Sequence, residues 1–194
     1  MHKTGKNTVV LMVMISVCLV CAGIFIVGSR FGILQFVSNN PESGRKIANS
    51  IVEYTLPGGY LEQGGLNLGV FKMVFITPGG EDPQFHARNV ILLASFPSAI
   101  DVSDDDIRRE LLAAMLRSSS EVTTMGSVGE EITTIRGEEA ALQVFESFGA
   151  YDPPVRMVFT PVFSGKSGDV MMVFAGPIAT WDPEFVDHFI QSIK

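Results

Sequence analysis

The hydrophobic pattern of the chain is most pronounced near its start. From Val9 to Val27 the sequence runs for 19 residues without a charge, and all of them are apolar except one serine and one glycine. A helix rises about 1.5 Å per residue, so this run is long enough to cross the hydrocarbon core of a bilayer. The pattern predicts an N-terminal tail over residues 1–7 and a single transmembrane and interfacial helix over residues 8–37.

A second helical pattern closes the sequence. Apolar residues at the spacing i, i+3, i+4 and i+7 would share one helix face, and here they are Val186, Phe189, Ile190 and Ile193. Asp182 and Pro183 suit the first positions of a helix, because the carboxylate accepts hydrogen bonds from free amides and proline lacks an N–H. We predict a helix that begins at Asp182 or Pro183, with Phe185 at the edge of the apolar face. The solvent-exposed face of this helix would carry Glu184, Asp187 and His188.

Between these two ends, short apolar segments alternate with turn-forming residues. The segments 66–77 and 87–96 are apolar on both faces, which predicts two central strands joined by a hairpin. Short turns also separate four further segments, at residues 131–136, 140–147, 155–163 and 169–176. Successive strands joined by short turns pair antiparallel, so the sheet is predicted to be mostly antiparallel.

Two more helices complete the predicted fold. SDDDIRRELLAAMLRSSS, residues 103–120, opens with a serine cap and three aspartates and continues with one apolar face. A short helix is expected around residues 45–50, after a polar linker over residues 38–44. The sequence therefore predicts an α+β domain over residues 45–194, in which helices sandwich a mostly antiparallel sheet.

The charge distribution predicts where this domain is located. Lys3 and Lys6 outweigh Arg30 across the apolar run, which favours a cytoplasmic N-terminus and an extracytoplasmic domain anchored in membrane lipid. All 21 acidic residues lie beyond residue 38, together with 11 of the 14 basic ones, so the exported part carries a net charge of 11 − 21 = −10. A surface this acidic argues against a nucleic-acid partner.

A cleaved signal peptide is the alternative to an anchor. Val20-Cys21-Ala22 resembles a small-residue cleavage site, and cleavage would release the domain as a secreted protein. Cys18 and Cys21 both lie inside the apolar run, where their spacing is that of two small side chains on one helix face. The exported part then contains no cysteine, and its stability must come from its own core.

The sequence contains few candidate reactive groups. Four carboxylates, at Glu130, Glu131, Glu138 and Glu139, could bind calcium if they converged, although their spacing matches no known calcium loop. Two histidines remain outside the tail: His86 in a predicted hairpin tip and His188 on the wet face of the last helix. We assign no catalytic, cofactor or metal residue and expect no cofactor.

Two other features have ordinary structural explanations. SGKSGD looks like the end of a phosphate-binding loop, but it joins two predicted strands, so we interpret it as a hairpin turn. Lys72 lies within an apolar strand, and it either meets a buried carboxylate or extends to water from a sheet edge.

The order of these parts resembles a known family. YTLPGGY before the first long strand, the acid-capped middle helix, and VRMVFTPVFSGKSGDVMMVFAGP running into WDPEFVDHFIQSI are similar to the PsbP-like superfamily, over residues 51–194. That superfamily includes the photosystem II extrinsic proteins and the Ran-release Mog domain. The resemblance implies an antiparallel sheet between helices and a binding or assembly role, and it transfers no site residue.

Taken together, the sequence predicts a membrane-anchored, exported binding or assembly domain that is not catalytic and acts through a protein partner. The alternatives are a metal-dependent or hydrolytic enzyme, which would use the four glutamates or His188, and a ligand-sensing domain.

Overall fold

A nine-stranded antiparallel sheet forms the frame of the described domain. The structure, a computed structural model, describes residues 37–38, 40–79, 89–98, 124–148 and 154–194. The strands are β1 (Val37–Ser38), β2 (Tyr60–Asn67), β3 (Lys72–Pro78), β4 (Val90–Phe96), β5 (Thr124–Ile135), β6 (Glu138–Phe148), β7 (Val155–Phe159), β8 (Phe163–Ser164) and β9 (Asp169–Pro177). Their order in the sheet is β1-β2-β3-β4-β9-β7-β6-β5, with β8 paired to β9. Val37–Lys194 is one compact unit.

Two helices accompany the described strands. Helix α1 spans Pro41–Ile51, helix α2 spans Pro183–Gln191, and a 3-10 turn at Ile178–Thr180 precedes α2. The α+β class and the mostly antiparallel sheet are therefore confirmed. The predicted helix at 103–120 lies outside the described residues.

The main hydrophobic core lies between one face of the sheet and these two helices. Helix α1 contributes Ile47, Ala48 and Ile51, and helix α2 contributes Val186, Phe189 and Ile190. They pack on alternate residues of the strands, such as Val74 and Leu93, because side chains along a strand point to opposite faces. A second cluster on the other face includes Phe96, Met157, Phe159 and Met171. Strands β3 and β4 lie inside the sheet, as predicted, but only β4 is covered on both faces, since Phe75 on the second face of β3 is 46% exposed.

Helix α2 forms as its sequence pattern predicts. The Asp182 side chain accepts a hydrogen bond from the Phe185 amide over 3.0 Å, and Pro183 occupies the first turn. Val186, Phe189, Ile190 and Ile193 are buried, whereas Glu184, Asp187 and His188 are exposed. Phe185 is half-buried and stacks on Tyr60.

Removal of the α2 cap should weaken the domain measurably. We expect Asp182→Ala to lower the free energy of unfolding by about 0.5–2 kcal/mol, because an amide of the first turn loses its acceptor. Asp182→Asn keeps an acceptor oxygen and should unfold close to the parent. Denaturant melts of both variants measure the difference, and equal losses in the two would contradict a capping role.

Several predicted boundaries need correction. The segment predicted at 155–163 is divided into β7, which ends at Phe159, and β8, which begins at Phe163. Helix α1 begins at Pro41, not Arg45, because Asn40 caps it by accepting from the Glu42 amide at 2.9 Å. The predicted linker 38–44 therefore contains part of β1 and the first turn of α1. The segment 66–77 is not one strand, since a turn at Leu68–Phe71 divides it between β2 and β3. The strand predicted at 131–136 extends back to Thr124 and ends at Ile135.

The start of α1 was missed because its sequence is rich in turn-forming residues. Pro41 suits the first helical turn, and Gly44 is required by packing, since a β-carbon there would lie 2.5 Å from the Glu62 carbonyl oxygen. The helix therefore rests directly on β2. This close contact between α1 and β2 is a tertiary constraint that local sequence patterns do not reveal.

Candidate functional site

The described sheet ends on a long, exposed strand. Strand β5 pairs with β6 on one side, and no other described strand pairs with it. From Ser127 to Thr134 its residues are exposed or half-buried. Two of its apolar side chains are unusually open, Val128 at 46% and Ile132 at 65% exposure. A long edge strand with apolar side chains offers a template for pairing with another chain.

The turn between β5 and β6 sets which main-chain groups face outward. Ile135 pairs with Glu138 across a two-residue turn, in which Arg136 and Gly137 have φ values of 53° and 85°. Positive φ at both positions is typical of a type I′ hairpin, whose flanking residues form a hydrogen-bonded pair. Hydrogen-bonded and non-hydrogen-bonded pairs then alternate along the ladder.

Three residues of β5 consequently point their main-chain groups away from β6. Thr134 pairs with Glu139, Ile132 with Ala141 and Glu130 with Gln143, and these are the non-hydrogen-bonded pairs. Their N–H and C=O groups form an outer row, here called the β5 edge. The side chains of Glu130, Ile132 and Thr134 all project from the same face of the sheet. The outward N–H and C=O groups of the β5 edge therefore lie beside the apolar Ile132 side chain.

A β-bulge limits the β5 edge at its upstream end. The register with β6 shifts between Ser127 and Gly129, and Gly129 has a φ of 155°. An extra residue at a bulge bends the strand and increases its twist. The regular edge therefore extends from Glu130 to Thr134.

Helix α2 supports the other face of β5. The Thr133 hydroxyl donates to the Asp187 carboxylate over 3.3 Å. Arg156 on β7 donates through Nε to the Glu146 carboxylate over 2.9 Å, and its Nη1 lies 3.9 Å from Glu131 Oε1. The Arg156 guanidinium carbon also lies 5.8 Å from the Trp181 ring centroid. These contacts link β5 and β6 to β7 and α2 on the face of the sheet opposite the Ile132 side chain.

The four glutamates predicted as a calcium site lie in two separate places. Glu130 and Glu131 are within β5, whereas Glu138 and Glu139 begin β6, opposite Ile135 and Thr134. Neighbours within each pair point to opposite faces of the sheet. Across the ranges that the structure describes, no group of three or more histidine, cysteine or acidic side chains is arranged to hold a metal ion. The structure therefore does not bring the four carboxylates together.

The remaining predicted candidates are scattered. His188 is exposed on α2, and His86 lies outside the described residues. Lys72 is half-buried at the start of β3, and its ammonium donates to the Ser50 hydroxyl over 3.0 Å. Strand β3 lies between β2 and β4, so the predicted position at a sheet edge is wrong.

The SGKSGD segment is a hairpin turn, as predicted. It connects β8 to β9, and its lysine contacts the end of α1. The Lys166 amide donates to Ile51 O over 2.8 Å. The Lys166 ammonium donates to Asn49 O over 3.2 Å and to the Glu53 carboxylate over 2.7 Å. Cations near carbonyls at the C-terminal end of a helix are favourable, so Lys166 stabilises the end of α1. The ammonium also lowers the pKa of the Glu53 carboxyl.

One buried carboxylate was not foreseen. Glu62 on β2 is 4% exposed and accepts a hydrogen bond from the Tyr54 hydroxyl over 2.9 Å, while Arg45 lies 3.8 Å away. Burial raises the pKa of the Tyr54 hydroxyl, and the charge of Glu62 raises it further. Tyr54 therefore stays protonated and remains a donor. This network fixes the segment after α1 against β2.

The β5 edge was missed because Gly126, Ser127 and Gly129 weaken the strand pattern in the first half of β5, so the predicted strand covered only residues 131–136. The sequence feature that could have revealed it is the β-branched run Ile132-Thr133-Thr134-Ile135 before a glycine turn. In a strand, the apolar Ile132 would share one face with the polar residues Glu130 and Thr134.

The predicted membrane segment, residues 8–37, lies almost wholly outside the described residues, and among the described helices none is both long and apolar enough to span a bilayer. No protein-family model matches the chain, and comparison with curated proteins also gives no match.

Proposed function

We propose that this chain is a membrane-anchored, exported binding or assembly domain, without catalytic activity, that acts through a protein partner. The observation that carries the proposal is the β5 edge, an exposed row of main-chain groups that no described strand pairs with, beside the 65%-exposed Ile132. Residues 8–37 would anchor it with the N-terminus in the cytoplasm. The long apolar run and the basic flank support this orientation.

The edge favours a partner that adds a strand. In strand addition, main-chain hydrogen bonds provide affinity and alternate side chains provide specificity. Here the partner strand would hydrogen-bond to Glu130, Ile132 and Thr134 and would contact the Ile132 side chain. Glu130 and Glu139 flank that side chain on the same face, so the contact favours a partner with basic residues.

The proposal also includes helices on both faces of the sheet. Both described helices pack on one face of the sheet, while the other face carries its own buried cluster around Phe96 and Phe159. We propose that the predicted helix at 103–120 covers that second face. A sheet between helices would agree with the resemblance to the PsbP-like superfamily.

Partner capture at the β5 edge tests the function. A photo-crosslinking amino acid at Glu130, in intact membranes, should give one reproducible adduct, whereas the same group at the exposed Gln191 of α2 should not. Addition of Ile132→Pro should reduce the adduct about tenfold or more, because it removes an outward N–H. Ile132→Ala keeps that N–H and should retain more of the adduct.

Folding must be checked in the same variants. The Ile132 N–H does not bond to β6, so proline at this edge position removes no ladder hydrogen bond and the variant should still melt cooperatively. Equal adducts in the parent and Ile132→Pro, or equal labelling from Gln191, would refute strand addition at this edge.

A further inference from the structure

The regular part of the β5 edge is symmetric about its central residue. It extends from Glu130 to Thr134, and its outward main-chain groups belong to the two end residues and to Ile132 midway between them. The Ile132 side chain, beside this row, is 65% exposed. None of the strands that the structure describes pairs with the row. A row with this symmetry is able to pair with the same row of a second copy across a two-fold axis.

The outward groups select one register for such a pair. Two antiparallel strands exchange main-chain hydrogen bonds where outward-facing residues lie opposite each other. With Ile132 opposite Ile132 of the second copy, Glu130 of each copy lies opposite Thr134 of the other, so every outward residue is paired. A shift by two residues in either direction leaves an outward residue of each copy without a partner. The register centred on Ile132 therefore forms the most hydrogen bonds.

The same register separates the carboxylates on the Ile132 face. The Thr134 hydroxyl would donate to Glu130 of the other copy, while the two Glu130 side chains lie four residues apart, about 14 Å at 3.4 Å per residue. That distance exceeds the Debye length of about 8 Å at physiological ionic strength. A parallel pair in register, or an antiparallel pair centred on Glu130 or Glu131, would instead place like charges directly opposite each other. The pairing centred on Ile132 avoids this repulsion.

The remaining side chains also suit the centred register. The two Ile132 side chains would lie side by side on the axis with their Cβ atoms about 4.5–5.5 Å apart, so each would cover apolar surface of the other. On the opposite face, Glu131 would lie opposite Thr133. The two Glu131 side chains become diagonal neighbours about 7–8 Å apart, and each has Arg156 Nη1 of its own copy 3.9 Å from its Oε1, which offsets their repulsion.

We propose that the β5 edges of two copies pair antiparallel about a two-fold axis at Ile132, so that a second copy occupies the edge when no partner strand is bound. This inference rests on the β5 edge of the proposed function and adds the regulation of that edge. A partner strand with basic residues would form charge pairs with Glu130 and Glu139, which self-pairing lacks, and would therefore displace the second copy. Self-pairing also protects the edge from unspecific strand addition.

Disulfide cross-linking of the purified full chain in detergent solution tests the register. Cys18→Ala and Cys21→Ala first remove both native cysteines, so that only an introduced cysteine reacts. Ile132→Cys should then give a linked dimer under a mild oxidant, because Cα atoms of a hydrogen-bonded pair lie about 5.5 Å apart, within the range of a disulfide. Glu130→Cys or Thr134→Cys alone should reduce the linked fraction about tenfold or more, since like positions would be about 14 Å apart.

A mixed sample supplies the matched positive control. When copies with Glu130→Cys are mixed in equal amounts with copies with Thr134→Cys, the two cysteines lie opposite each other in mixed dimers. The linked fraction should then rise to about half of that for Ile132→Cys, because about half of all dimers are mixed. Cooperative melting of each variant checks its folding. Equal linking at residues 130, 132 and 134 alone would indicate random collision and would overturn the register.

Failure of self-pairing is separable from failure of the proposed function. Absence of a linked dimer both for Ile132→Cys and for the mixed sample would overturn self-pairing. An adduct between a different protein and a photo-crosslinker at Glu130 would still support the proposed function in that case. A linked dimer for Ile132→Cys and the mixed sample, without any such foreign adduct, would support self-pairing and count against the strand-adding partner.

Discussion

Phe189→Ala is expected to lower the free energy of unfolding by about 3–5 kcal/mol. The Phe189 side chain is 1% exposed, and its ring centroid lies 5.2 Å from that of Tyr54 and 5.9 Å from that of Phe174. Truncation would remove these ring contacts and leave a cavity between α2 and the sheet. Denaturant-induced unfolding, followed by circular dichroism, measures the loss.

The neighbouring residue supplies the control. His188 is exposed, so His188→Ala should change the free energy of unfolding by no more than about 0.5 kcal/mol. Partner crosslinking from the β5 edge should also remain. A larger loss of stability in His188→Ala than in Phe189→Ala would mean that α2 packs through the opposite face and that His188 belongs to a site.

Gly168→Ala should lower the free energy of unfolding by a comparable amount. Gly168, in the turn before β9, has a φ of 142°, and a β-carbon there would overlap the Phe96 carbonyl oxygen. Backbone strain of about 1–3 kcal/mol and overpacking of about 1–3 kcal/mol together predict a loss of roughly 2–6 kcal/mol. Thermal and denaturant melts of the purified protein would show it.

Gly137→Ala distinguishes strain from overlap. Gly137 also has a positive φ, 85°, but a β-carbon there would meet nothing within 4 Å. Gly137→Ala should therefore lower the free energy of unfolding by about 1–2 kcal/mol, from backbone strain alone. If Gly168→Ala were no worse than Gly137→Ala, the close approach of the β8–β9 turn to Phe96 would be wrong.

Local patterns predicted the elements whose signals lie within a few residues. Helix α2 was predicted with its cap and its buried face, because Asp182, Pro183 and the apolar stripe occur in one short segment. The turn between β8 and β9 was recognised for the same reason. Helix α1 began four residues earlier than predicted, since a proline and a glycine that usually interrupt helices are accommodated by the first turn and by packing on Glu62.

The candidate site was largely invisible to local patterns. Strand β5 looked like a short segment because Gly126 and Gly129 weaken a strand, yet the bulge near Gly129 and the pairing with β6 keep it extended from Thr124. The four glutamates are close in sequence but separate in the sheet, because a hairpin sends neighbouring side chains to opposite faces and moves them along the ladder.

The sequence by itself determined the α+β class, the antiparallel pairing of successive strands and the orientation of α2, since each follows from periodicity, capping and turn residues. Only the tertiary structure decided the order of the strands, with β9 between β4 and β7 and β5 at an edge. It also placed the β2–β3 turn beside the start of the domain and Glu62 in the interior. These features depend on contacts between residues far apart in the chain, and their energies are not encoded in any short stretch of sequence.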